Sequence, residues 1–544
     1  MIDLPVRELE SLVGENTLQR LEGIIPFIPE SGVRDPNDIY KSKYLEKIFL
    51  AFAGQDALSK KDFRRLLLSR LSDEDIRVLA RELNLNSTLP FREVANSILH
   101  VTWGDNKQTR IFINFFGFPE HFIPSPRLHS PNVEYIKAPE SPYKILKDFQ
   151  FDICKKSLKR MENPLQKLLI QMPTGSGKTR TAMEIISIYL NENSGKSILW
   201  LANSEELHEQ AIESFKDVWS HVGNFDVDVV RAYGSYDLII PTKSSFIVGG
   251  FQKFYSLFSK TPELAEKLSE QIVLIIIDEA HQVIAPTYMQ VIELLMKPNY
   301  HTHLIGLTAT PGRGNVHNPE TGLLIDFFER NKIEIESGDT TVFEFLRNRG
   351  VLSRIKRSPL VTGKKFELTP AEKEHLKTHF DFPKSFLDKL SSDDWRNVQI
   401  IKKMLSVYGS DKKVLFFAGS VDQSKLVCAT LNFLDIRAEH VDGTTKRDRR
   451  RNIIEQFKEG NLNIICNYGV LTTGFDAPKT DIIFIARPTM SIVLYSQMVG
   501  RGLRGPAIGG KSECMLIEVR DEIEECKQPD NVYEYFNDYW EQNV

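Results

Sequence analysis

The sequence predicts an α/β protein: two tandem parallel-sheet domains preceded by a mainly helical N-terminal domain. Three observations carry this. Between residues 144 and 520, short aliphatic runs alternate with amphipathic stretches, the pattern of a parallel sheet covered on both faces. The runs fall into two sets separated by a charged stretch. Before residue 125 the apolar residues instead follow helical spacing. A length of 544 residues accommodates about three or four domains.

Taken in order, helical spacing covers 60–68, 73–83 and 91–99, and LSDED before an apolar run reads as a helix start with an acidic first turn. Region 1–125 is therefore expected to be a helical accessory domain. Prolines 119, 124, 126, 131, 139 and 142 then punctuate an aperiodic stretch, and 126–143 reads as a linker. The first α/β domain is placed at 144–315, with strands expected at 168–172, 197–202, 245–248, 272–278 and 303–307. The second is placed at 325–520, with strands at 413–417, 438–441, 463–466, 481–486 and 514–519 and a helical insertion near 365–410. Residues 521–544 hold eight acids against Lys527, a net of −7, interleaved with five aromatics. The offsets of those aromatics predict a packed terminal helix.

The whole chain has a formal net charge of −4, so no global basic balance announces a polyanionic partner, and a local stripe of donors would suffice for one. Five scattered cysteines without a CxxC pair exclude a zinc ribbon and fit reduced thiols. The first residues are too charged for a secretory signal. The longest aliphatic run, 272–277, is far short of a membrane span. The expectation is a soluble cytoplasmic protein with no membrane partner.

Three segments carry chemistry. The first strand runs into MPTGSGKTR. Pro173, Thr174, Gly175, Ser176 and Gly177 form a turn whose N–H groups can face the phosphates of ATP. Lys178 can neutralise their charge and Thr179 can ligate Mg²⁺. Met172 stands where the strict GxxxxGK[ST] template has glycine, so the loop is a variant. The fourth strand ends in DEAH, at the sheet edge where ligands of open α/β folds bind. Asp278 there can hold Mg²⁺, and Glu279 can deprotonate the attacking water. Read by itself, such an acidic pair is a common helix cap. The third segment, QMVGRGLR, holds Gln497, Arg501 and Arg504. Arginines three apart share a helix face and can approach one anion.

In order, these segments resemble the superfamily 2 helicases of the DEAH type, in particular the ATPase subunits of type I and type III restriction enzymes and the Rad25-like translocases. LKDFQFDIC, with Gln150, resembles the adenine-reading segment, WLANSEELHEQA motif Ia and VGGFQKF motif Ib. LTAT resembles motif III, FFAGSVDQSK motif IV, VLTTGFDAP motif V and SQMVGRGLRG motif VI. The resemblance covers roughly residues 144–520. It implies two RecA-like domains with ATP in the cleft between them and nucleic acid crossing both.

By that resemblance Gln497 positions the water, and Arg501 and Arg504 complete the site from the second domain. Gly474 and Asp476 bind ATP and couple motif V to ATP and backbone. His281, Thr308 and Thr310 couple the ATP site to the nucleic-acid groove, and Asn203, Ser420 and Thr472 contact nucleic acid. The chain departs from the DEAH-box RNA helicases, lacking GETGSGKT and QRxGRAGR, and DNA is expected in preference to RNA. A PD-(D/E)xK-like cluster is missing from 1–143, so a motor without its own nuclease is expected. A second reading stays open: an ATP-controlled clamp or sensor subunit of a prokaryotic defence or restriction assembly, with 1–125 docking protein partners. In a third reading Lys60, Lys61, Arg64 and Arg65 make that region a DNA-binding accessory, although such a run is commonly a solvated helix face.

Overall fold

The computed structural model describes residues 6–124, 130–137, 141–163, 167–296, 301–312, 319–379, 381–409, 411–472, 474 and 479–523. The strands among them form two sheets. The first holds β1 (Val133–Ile136), β2 (Lys167–Gln171), β3 (Ser197–Ala202), β4 (Val227–Ala232), β5 (Ser245–Gly250), β6 (Ile272–Asp278), β7 (His303–Thr308) and β8 (Lys332–Glu334). Their order is β1-β4-β5-β3-β6-β7-β2-β8. All neighbours are parallel except β1, which runs antiparallel to β4.

Successive residues of a strand point to opposite faces, and both faces of this sheet are covered. Ile198 and Trp200 of β3 enter one core cluster with the helices Lys178–Glu192 and Glu205–Val222. Leu199 and Leu201 enter the other, with Phe251, Phe254 and Leu295. That is why β3, β5 and β7 are buried along their whole length.

The second sheet holds β9 (Arg354–Arg357), β10 (Leu360–Lys365), β11 (Val414–Phe417), β12 (Ala438–Val441), β13 (Ile464–Asn467), β14 (Ile482–Ile485) and β15 (Glu513–Glu522). Its order is β10-β15-β14-β11-β13-β12, with β9 beside the first half of β15. Every pairing is parallel.

Strands outside the aliphatic runs mark where the pattern fails. β1 lies inside the stretch read as a linker, and β8 pairs with β2 although it follows residue 325, where the second unit was expected to begin. Both are edge strands with one neighbour, so their sequences carry no continuous aliphatic run. β9 and β10 are half-exposed and charged. The stretch 365–410 holds three helices, Pro370–His379, Lys384–Ser391 and Asp394–Val407. Asp521 and Glu522, counted with the acidic tail, end β15 instead; the packing expected of 524–544 lies outside the described residues. The Asp521 carboxylate accepts from Nε of the fully buried Arg396 at 2.8 Å.

The N-terminal region is helical, and Ser72 opens the helix Asp73–Glu82 through a reciprocal capping box with Asp75. The region precedes the first sheet in sequence but packs on the second unit. Its helix Ser42–Ala53 lies on the helix Val421–Phe433, with the rings of Tyr44 and Phe433 6.1 Å apart and Lys47 Nζ 2.8 Å from Asp435 Oδ2. Ile48, Phe49, Leu426 and Leu431 belong to one continuous core. No helix among the described residues is long and apolar enough to cross a membrane.

Candidate functional site

β2 delivers the chain into the turn 173–177. Gly175 and Gly177 have φ of 86° and 90°, left-handed values that side chains disfavour. Ser176 Oγ donates to Pro173 O at 2.7 Å, and the helix Lys178–Glu192 starts at once, aiming its unpaired N–H groups at the turn. Gln150 is buried against this turn. Its Nε2 donates to Ser176 O at 3.2 Å and its Oε1 accepts Lys147 N at 3.1 Å, so the adenine-reading candidate is tied to the turn 173–177. Thr179 follows Lys178 in the first helical turn.

Lys178 Nζ lies 3.4 Å from Glu279 Oε1 and 3.7 Å from Asp278 Oδ1. Burial lifts the Asp278 carboxyl to about 6, against the pull of Lys178. Burial acts on Glu279 too, but Lys178, His281 and Arg501 outweigh it and hold that carboxyl below its usual range. Glu279 has φ 50°, a strained value for a non-glycine residue at a strand end. His281 Nδ1 lies 3.5 Å from Glu279 Oε2 and 3.4 Å from Thr308 Oγ1. Thr308 Oγ1 in turn donates to Thr310 O at 2.8 Å and accepts Thr310 N at 3.1 Å. The three residues expected to couple form one hydrogen-bonded chain.

The second unit closes this site. Its helix Ile492–Gly500 carries the buried Gln497 and ends against the phosphate loop. Arg501 caps that helix and Arg504 lies beyond it, bridged to Leu352. The expectation that both arginines share a helix face is therefore corrected. The glycine at 502 packs where a side chain would strike Ile483 and Cys514, and the helix stops short of it. Both arginines nevertheless approach the site: Arg501 acts electrostatically on Glu279, and Arg504 Cγ would lie 3.7 Å from a Cβ at Gly175.

The proposed nucleic-acid residues are differently placed. Asn203 Nδ2 donates to Gln282 Oε1, just after the DEAH segment. Ser420 is buried and caps the helix Val421–Phe433, accepting Gln423 N at 3.1 Å. Thr472 is half-buried. Gly474 presses on the first unit, where a Cβ would meet Leu207 N at 2.9 Å. Asp476 lies outside the described residues. In the N-terminal basic run, Arg64 is buried and donates to Leu58 O at 2.9 Å while its guanidinium covers Trp103. Arg65 pairs with Asp62. Arg64 is thus a core residue rather than part of a basic face.

A cross-unit seam escaped the sequence reading. Arg447 reaches Glu205 at 2.8 Å and Glu209 at 2.7 Å, Arg450 pairs with Glu206, and Arg451 lies 4.0 Å from Glu213. The seam joins the helix Arg447–Glu459 to the helix Glu205–Val222. The charge blocks RDRRR and EELHE, spaced at helical offsets, were the available signal.

Residues 144–313 match the family model of the type III restriction enzyme res subunit, and 396–505 match the helicase conserved C-terminal domain. The putative ATP-dependent helicase IRC3 of Saccharomyces cerevisiae is 28% identical over 388 residues, covering 69% of this chain and 51% of that protein. The chain thus spans about half the length of this curated relative. The DNA 3'-5' translocase XPB2 of Sulfurisphaera tokodaii is 22% identical over 398 residues, 69% of this chain and 81% of that protein. Among solved structures, the type ISP restriction-modification enzyme LlaBIII bound to DNA aligns with a TM-score of 0.49 and 17% identity, over 73% of this chain and 29% of that one. The two domain matches fall on the two sheets in the order the motifs require, and the chain belongs to the superfamily 2 helicases, with a motor core that resembles those of restriction subunits and Rad25-like translocases.

Proposed function

We propose that this chain is a nucleic-acid-dependent ATP hydrolase that moves along or separates DNA, in preference to RNA. One observation carries the reading. Lys178, Asp278 and Glu279 converge within 3.7 Å on the first unit, while Gly500 of the second unit presses on Thr174 of the phosphate loop. A group bound there is shared by two units, so hydrolysis depends on their closure. The names of IRC3 and XPB2, an ATP-dependent helicase and a DNA translocase, support the same reading.

In this mechanism the turn 173–177 holds the phosphates and Lys178 offsets their charge. Glu279, kept ionised by Lys178, His281 and Arg501, takes a proton from water as its oxygen attacks the γ-phosphorus and ADP leaves. Gln497 orients that water, and Arg501 and Arg504 stabilise the charge on the transferring group. The Thr179 hydroxyl and the buried Asp278 carboxylate, an oxygen pair suited to a hard cation, would hold Mg²⁺, which when bound would neutralise phosphate charge. Gln150 reads adenine, and Gly474 and Asp476 relay closure to motif V. The four described cysteines are buried free thiols, which supports a reducing compartment, the cytoplasm in our reading.

Steady-state ATP hydrolysis with single-stranded DNA, duplex DNA and RNA tests the proposal. DNA is expected to stimulate most, and no stimulation by any nucleic acid would overturn it. Lys178→Ala and Glu279→Gln should each abolish turnover. The clamp reading is favoured by the closed Arg447 seam and predicts stimulated hydrolysis with neither strand displacement nor movement on duplex.

A further inference from the structure

Between the N-terminal helical region and the second unit runs a groove of about 1280 Å³. One wall is the end of the helix Ser42–Ala53 with residues 102–106 and 121–124; the other is the helix Val421–Phe433, β12 and the turn 442–446. We propose that this groove carries a single strand of nucleic acid onward from the motor, an inference that rests on the motor reading above.

Position is the first support. The turn 442–446 follows the C-terminal end of β12, and Ser420 stands at the corresponding end of β11. One lip of the groove therefore lies on the sheet edge that carries motifs IV and V. The next residue, Arg447, already touches the first unit.

Charge is the second. The wall carries six basic and six acidic side chains, but the acids are largely engaged. Asp435 pairs with Lys47 at 2.8 Å, Asp56 and Glu439 with Arg449, and Asp105 with Arg110. Asp442 accepts from Thr444 and Thr445 and faces His440 at 3.2 Å. Lys425 and Lys446 are exposed, and among the described residues no acid pairs with either. Lys60 lies over the Phe49 ring instead of a carboxylate. Lys425 and Lys446 therefore present positive charge at this lip, and strongly hydrated lysines suit phosphates as point charges.

Size and surface are the third. Leu50 and the half-buried Phe52 give the groove an apolar patch beside these cations, and single-strand binders combine such a surface with a basic one. The volume suits a few unpaired nucleotides, whereas one helical turn of duplex, about 10 base pairs, is many times larger.

The test is fluorescence anisotropy with the full chain and oligo-dT of about 8 and about 20 nucleotides, lengths bracketing ordinary single-strand sites. The wild type is expected to bind the longer strand more tightly. Lys425→Glu/Lys446→Glu should erase that gain while binding the shorter strand as the wild type does. The neutral pair Lys425→Gln/Lys446→Gln should lower the slope of log K on log salt for the longer strand by about 1.4, two phosphate contacts' worth. Arg92→Glu, exposed on the same region but outside the groove, should change neither. Equal affinities of variant and wild type for the longer strand overturn the groove, as does an equal loss on both lengths. Absence of binding at every length overturns the groove and the motor reading together.

Discussion

Gly500 of the second unit sits so close to Thr174 of the phosphate loop that a β-carbon on the glycine would lie 2.6 Å from the threonine Cβ. Real β-carbons do not approach so closely, and the contact joins backbone-level parts of both units. The spacing between the turn 173–177 and the second unit is therefore set by the absence of one methyl group.

Gly500→Ala forces the units apart at this point. We expect the ATP turnover number to fall by about 10²-fold or more, the scale of an ångström misplacement in a reacting geometry. Affinity for a fluorescent ATP analogue should change less, since the first unit supplies the phosphate loop. Wild-type turnover would show that closure does not run through this contact.

The seam makes a second prediction. Arg450→Glu places a carboxylate against Glu206 and should open the cleft, visible as a larger radius of gyration in solution scattering. Glu206→Arg in the same chain should restore it, because the pair is swapped rather than lost. If the single variant scatters like the wild type, packing around Gly474 holds the units and the ion pairs do not.

Asp278 predicts a pH dependence. Its carboxyl is raised to about 6 by burial, so a proton competes with Mg²⁺ for it below that pH. The Mg²⁺ concentration for half-maximal hydrolysis should be about tenfold higher at pH 5 than at pH 7.5, because metal binding requires the deprotonated ligand. The sign for stability is opposite to that of a paired carboxylate. The folded state holds the proton more tightly than the unfolded one, so this group's contribution falls as pH rises from about 4 to 6. A Mg²⁺ requirement flat across this range would remove Asp278 from the metal site.

Arg396 and Asp521 form a buried pair, with Arg396 Nη2 also donating to Ala486 O at 2.7 Å and Thr362 Oγ1 donating to Asp521 at 2.6 Å. Arg396→Ala strands a buried carboxylate and a carbonyl. We expect a loss of about 3–5 kcal/mol in urea unfolding of the second unit. A loss under about 1 kcal/mol would mean that water reaches Asp521 in the variant.

The sequence by itself determined the interior of both sheets. β3 and β6 fall at the residues expected, because strands covered on two faces must be aliphatic throughout and short. It also marked the turn 173–177 and the DEAH segment, whose pattern is local: adjacent residues on a strand–turn–helix need no distant partner to be recognised. Edge strands β1 and β8 were illegible because one neighbour imposes little on composition. The end of the helix at Gly500 depended on packing around Gly502, which no local propensity encodes.

The largest decision left to tertiary structure is where 6–124 goes. Its helices were readable, but their docking on Val421–Phe433 joins residues nearly four hundred positions apart. Amphipathic periodicity says that a helix face will be buried and never against what. The groove beside Arg447 exists only because that long-range choice was made.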